Sequence, residues 1–111
     1  MNVYDEVNNL ARALKECREF TEYKEAKDKV KSVEGLRTKI DEFEKIRYEE
    51  QLLALQGEKQ SDEKMKKLQE LYKILVQNPD VKDYFDKEVR FNVMMADVNK
   101  IIGDAIKEVL K

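Results

Sequence analysis

The side chains that most often perform chemistry are scarce in this sequence. It contains no histidine and one cysteine, Cys17, so the commonest general base and the commonest transition-metal ligand are missing. One cysteine without histidine makes neither a zinc site nor a Cys–His nucleophile. Cys17 falls on an apolar helical stripe, where a free thiol behaves as a small hydrophobe. The three glycines, Gly35, Gly57 and Gly103, stand far apart, which excludes a glycine-rich phosphate loop. Carboxylates are plentiful, but almost all fall on polar helix faces, where the ordinary role is solvation. The basic cluster Lys64, Lys66 and Lys67 is interleaved with Asp62, Glu63 and Glu70, as on a solvated face. Tyr4, Tyr23, Tyr48, Tyr72 and Tyr84 are scattered along the chain and give no base-stacking platform. The expectation is a protein that is not an enzyme, with no catalytic residues, no cofactor and no bound metal.

These residues sit on elements whose period is helical throughout. Apolar residues at that spacing predict five helices, over about residues 3–17, 18–31, 33–56, 62–77 and 79–110. Asn2 suits the N-cap of the first helix, and Ser32 that of the third. Gly57 suits a C′ position after the third helix. Ser61 caps the fourth, with Asp62 and Glu63 at its positive end. Asn78-Pro79 is the sharpest boundary, with Asn78 as N-cap and Pro79 at N1. Acid-before-base pairs at i,i+4 (Asp41 with Lys45, Asp62 with Lys66, Glu63 with Lys67, Asp83 with Lys87, Asp86 with Arg90) are expected on exposed faces. The fold class is all-α, a helical bundle of about five helices.

Composition bounds the rest. A chain of 111 residues is read as one helical domain, residues 1–111. Charged residues make up 41% of it, yet 22 Lys and Arg against 24 Asp and Glu leave a net charge of −2. That balance gives no general pull toward nucleic acid or anionic lipid. The N-terminus has no basic or apolar leader region, and no apolar run approaches a membrane span. The expected location is cytoplasmic, without membrane association.

The fifth helix is the longest and most apolar. Val81, Tyr84, Phe85, Phe91, Met94, Met95, Val98, Ile101, Ile102, Ala105 and Val109 form one seam along it. At 1.5 Å per residue it spans roughly 45 Å, more than a chain this small can cover. Met94 and Met95 read as gap-fillers at that seam. Gly103 costs about 1 kcal/mol relative to alanine within a helix, which suits close passage of another backbone. The sequence therefore predicts a homodimer or higher homo-oligomer, with Phe91, Met94, Met95, Val98, Ile101, Ile102, Ala105 and Val109 as its interface.

Several stretches, taken in order, carry a resemblance. They are Asn2-Val3-Tyr4-Asp5 with Leu10 and Leu14, Arg18-Glu19-Phe20, and the Gly57 loop. Val76-Gln77-Asn78-Pro79-Asp80-Val81 into Tyr84-Phe85, and the closing Asn99-Lys100-Ile101-Ile102, complete the set. Across nearly its full length the chain resembles the YlbF/YmcA-like family of small helical proteins from low-GC Gram-positive bacteria, and is most similar to the YheA-type branch. The resemblance implies a five-helix fold assembling through its long helices. It further implies a non-enzymatic regulatory role through protein partners, linked in better-known branches to RNA processing, competence, sporulation and biofilm formation. Some relatives bind iron–sulfur clusters through cysteines; a single Cys17 per chain cannot supply the four thiolates such a cluster takes. The alternatives are an RNA-binding component of an RNA-processing assembly, or an unrelated role within the family.

Overall fold

A computed structural model describes residues 1–110. Among the described residues the chain is all-α, with five helices: α1 (Val3–Glu16), α2 (Arg18–Lys31), α3 (Glu34–Leu55), α4 (Asp62–Leu75) and α5 (Pro79–Leu110). Their ends follow local chemistry. Asn2 Oδ1 accepts from the backbone N–H of Tyr4 and Asp5, and Ser61 Oγ accepts from Lys64. Asn78 Oδ1 accepts from Asp80 and Val81, with Pro79 in the first helical position. Each cap satisfies N–H groups the helix itself cannot. After α3, Gly57 takes φ 74°, its N–H reaches Ala54 O, and Glu58 N–H reaches Leu53 O. This is the Schellman arrangement, which needs a left-handed residue at C′.

Ser32 behaves differently from the expectation. It is the C-cap of α2 and lies in the right-handed helical region. Its hydroxyl donates to Lys29 O at 2.7 Å. Val33 stands at the N-cap of α3 and offers no side-chain bond. A serine three residues past a free carbonyl closes the helix behind it rather than opening the one ahead.

The core gathers Ala26 and Val30 of α2, Ile40 and Phe43 of α3, Leu75 of α4, and Val81, Tyr84 and Phe85 of α5. No residue of α1 is buried. α3 and α4 pack closely as an antiparallel hairpin, crossed by Lys64–Glu49 at 3.6 Å and Lys67–Glu42 at 2.8 Å. Glu50, almost fully buried, fixes the connection by accepting from Ser61 N–H at 2.9 Å, a carboxylate at the positive end of α4.

Of the five sequence-local ion pairs expected, Asp83–Lys87 forms, at 2.7 Å. Asp41 instead meets Lys31, Lys67 meets Glu42, and Asp86 meets Lys82. For Asp41 and Lys67 a partner on the neighbouring helix wins over the local one. Exposed i,i+4 pairs are worth only a few tenths of a kcal/mol, so such exchanges cost little.

The molecule is open for its size. Its radius of gyration is 17.4 Å, against about 13 Å for a compact chain of this length. It exposes 8772 Å², where the scaling for monomeric globular proteins gives about 6,400 Å².

Candidate functional site

Helices α2 and α5 run antiparallel in a constant register. Phe20 meets Phe91 with ring centroids 6.3 Å apart, and Tyr23 meets Tyr84 at 5.8 Å and Phe91 at 5.2 Å. Lys29 pairs with Asp80 at 3.2 Å. At the other end Cys17 Sγ lies 3.8 Å from Met94 Sδ, while the thiol also stands 3.0 Å from Leu14 O as a donor. Cys17 is half-buried and belongs to neither helix. Its backbone is extended (φ −74°, ψ 156°), which ends α1 and sets α2 on a new course.

Between α2, α3 and α5 lies a polar network. Glu88, 9% exposed, accepts from Arg47 through both oxygens at 2.8 and 3.1 Å, and from Tyr23 Oη at 3.1 Å. Glu44 accepts from Tyr84 Oη at 2.7 Å and from Lys31 Nζ at 2.6 Å. Burial, reinforced by the charge of Glu88 and the bond to it, pushes the Tyr23 phenol up to about 12. Burial and the bond to Glu44 raise Tyr84 likewise. Burial works against the Arg47 cation, but the Glu88 bond and charge outweigh it and its pKa is raised. These phenols stay protonated and act as hydrogen-bond donors at neutral pH. The network joins three helices, and each of its carboxylates is already occupied by cations and phenols. Chemically it is a clamp.

This part of the molecule was hidden in the sequence. Glu88 and Glu44 are two carboxylates among many, and the tyrosines are dispersed in order. The signal available was Glu88 four residues after Tyr84 and three before Phe91, a charge on the core face of α5. Three of the five tyrosines do converge: Tyr23, Tyr84 and Tyr72 join Phe20, Phe43, Phe85 and Phe91 in one chain of ring contacts. These rings fill the interior and its rim, and do not form an open platform.

The apolar seam of α5 divides at Met94. Toward the N-terminus it is spent inside the chain: Val81 and Tyr84 are fully buried, Phe85 nearly so, and Phe91 is held by Phe20 and Tyr23. Met94, Met95 and Val98 are half-buried. Beyond them exposure climbs: Ile102 is 48% exposed, Ile101 70% and Val109 84%, and Ala105 is exposed as well. Ile106 and Leu110 widen the bare strip. Among the described residues, no heavy atom outside the local helix stands within 4 Å of where a Gly103 Cβ would be. The opposite arm repeats the pattern. α1 touches α2, and its stripe runs from half-buried Leu14 and Leu10 to exposed Val7 and Val3.

The remaining chemistry is sparse. Among the described residues no cluster of three or more His, Cys, Asp or Glu is placed to hold a metal, and no helix is long and apolar enough to cross a membrane. The basic cluster is partly occupied, with Lys64 on Glu49 and Lys67 on Glu42.

Residues 3–107 match the family described as "Control of competence regulator ComK, YlbF/YmcA". A UPF0342 protein of Caldicellulosiruptor bescii is 40% identical over 106 residues, covering 96% of this chain and 89% of the relative. The fold is that of YheA from Bacillus subtilis, with a TM-score of 0.71 at 21% identity over 98% of this chain and 99% of that one. It is also similar to a chain in the crystal structure of Bacillus subtilis RicA in complex with RicF, with a TM-score of 0.61 at 22% identity, covering 98% and 96%.

Proposed function

The chain belongs to the YlbF/YmcA family, and on that premise we propose that it is a non-enzymatic cytoplasmic adaptor that works by binding proteins. It acts as one helical unit, self-associates through the C-terminal arm of α5, and presents the assembly to other protein partners. The observation that carries this reading is the bare apolar strip from Ile101 to Val109, on a molecule exposing roughly 2,400 Å² more than a compact monomer of its mass. Contiguous apolar patches on soluble monomers seldom exceed a few hundred Å². Two copies that hid this excess together would bury roughly 4,700 Å², within the range of obligate dimers. Phe91, Met94, Met95, Val98, Ile101, Ile102, Ala105 and Val109 are the proposed interface, with Phe91 at its inner edge.

A two-fold arrangement closes such a surface on itself. The regulatory role follows the family, and the RicA–RicF complex supports recognition between proteins as the mode of action. The test is affinity capture from the native host, quantified by mass spectrometry, with the unmodified chain and Val98→Asp side by side. The adaptor reading expects one or a few stoichiometric partners of the unmodified chain. Recovery of the chain with no protein partner would contradict it.

A further inference from the structure

We propose that a groove along α4 takes an acidic amphipathic helix of a partner protein, which seats one large apolar side chain against Phe43, Leu68 and Tyr72. This rests on the adaptor reading above and names the surface and the chemistry of the partner. The groove, of about 290 Å³, is lined by Phe43 of α3 and by Leu68, Gln69, Tyr72 and Lys73 of α4. Rings form its floor. Tyr72 stands 6.2 Å from Phe43 and is stacked on Phe85 at 5.7 Å, while Phe43 meets Phe85 at 5.3 Å. Phe43 and Phe85 are buried, whereas Tyr72 is 48% exposed. The two buried rings hold Tyr72 in place, so its bare face is already ordered and loses little freedom when a partner covers it.

Charge selects the occupant. Leu68 and Tyr72 form a ridge at i,i+4, and Lys66, Gln69 and Lys73 lie beside it at spacings of three and four. Lys66 and Lys73 are exposed, and among the described residues neither joins an ion pair. Carboxylates of the adjoining helices are taken: Glu42 by Lys67, Glu88 by Arg47 and Asp86 by Lys82. Asp62, one turn before Lys66, lies at the positive end of α4. The margin of the groove is therefore cationic on a chain of net charge −2. Small-molecule sites run to about 300–1,000 Å³ with several convergent polar groups; this groove is smaller, apolar below and cationic along one edge. A helix laid along α4 fits its own ridge beside Leu68 and Tyr72, and acidic residues flanking its anchor meet the two lysines. The bare strip of α5 begins at Ile101, about 24 Å beyond Phe85 at 1.5 Å per residue. Groove and strip are separate surfaces.

The test selects peptides of about 16 residues, some 24 Å of helix, from a displayed random library on the full-length chain. Enriched peptides should carry net negative charge and a large aliphatic or aromatic residue with a second at i+3 or i+4. Fluorescence anisotropy with the strongest peptide should show binding weakened on the order of tenfold or more by Tyr72→Ala, the scale of an aromatic interface anchor. Tyr72→Ala also removes ring contacts inside the chain. Lys66→Glu together with Lys73→Glu, both at exposed positions, therefore reads the charge with the fold untouched. That pair should weaken binding on the order of tenfold, and affinity for the unmodified chain should fall as salt is raised. No enrichment, enriched peptides without acidic residues, or binding that survives both sets of substitutions would overturn the proposal. If affinity capture from the native host still returned partners, the adaptor reading would stand without this groove. Enriched peptides that match α5 of this chain would make the occupant a second copy, and an oligouridine that displaces the peptide would make it single-stranded RNA. Either result would overturn the proposal.

Discussion

Cys17 Sγ rests 3.8 Å from Met94 Sδ, which ties the junction of α1 and α2 to the middle of α5. The thiol is half-buried and donates to Leu14 O, with no second cysteine or histidine in the chain. Protein purified with or without oxygen should be colourless and lack stoichiometric iron. A brown preparation whose absorbance disappears with Cys17→Ser would show that this sulfur is a ligand.

Glu88 holds Arg47 through two bonds while accepting from Tyr23. Glu88→Gln keeps the shape but removes the charge that compensates a half-buried guanidinium. It should destabilise the fold by about 1.5–3 kcal/mol, the usual scale for hydrogen bonds to charged groups. Urea denaturation reads this as a lower midpoint at unchanged slope. A shift below roughly 0.5 kcal/mol, the level of ordinary surface substitutions, would mean the clamp contributes little.

Alkaline pH should loosen the same clamp. The Tyr23 pKa is raised from 10.0 to about 12, and that of Tyr84 is raised too. An acid whose folded pKa lies above its unfolded one contributes stability that is complete below the unfolded value. That contribution is lost as pH rises through the folded value. Stability should therefore fall between pH 10 and about 12, and Tyr23→Phe should flatten the fall. The same alkaline slope in Tyr23→Phe, followed by urea midpoints across this range, would assign the loss to other groups.

Binding to RNA should be absent at physiological salt. Lys64 and Lys67 already face Glu49 and Glu42, and the net charge is −2, so few phosphates would release counterions. An affinity tighter than about 1 µM at 150 mM salt, lost on replacing Lys64, Lys66 and Lys67, would overturn this; non-specific binders fall near 10⁻⁴–10⁻⁶ M.

The helices and most of their ends were legible in the sequence because they are local. Asn2, Gly57, Ser61 and Asn78-Pro79 act within four residues of themselves, and the helical period needs no tertiary knowledge. Ser32 misled because one hydroxyl can serve the helix behind or ahead, and backbone conformation decides. The Glu88–Arg47–Tyr23 clamp was not legible, since its members lie 41 and 65 positions apart, and adjacency across helices depends on register. The α5 seam was visible as one stripe. Its division at Met94 was not, because that depends on how far along α5 the other helices reach.

Self-association through α5 is the central claim, and the mass of the unmodified chain in solution tests it most directly. Each of Val98, Ile101 and Ile102 stabilises by about 1.5–3 kcal/mol on burial, so one charge among them should be felt strongly. Light scattering at tens of micromolar should give at least twice the chain mass. Val98→Asp should reduce it to one chain, or unfold it if folding and association are inseparable. Lys67→Asp, on a polar face, should leave the assembly intact. A single-chain mass for the unmodified protein at that concentration would contradict the account.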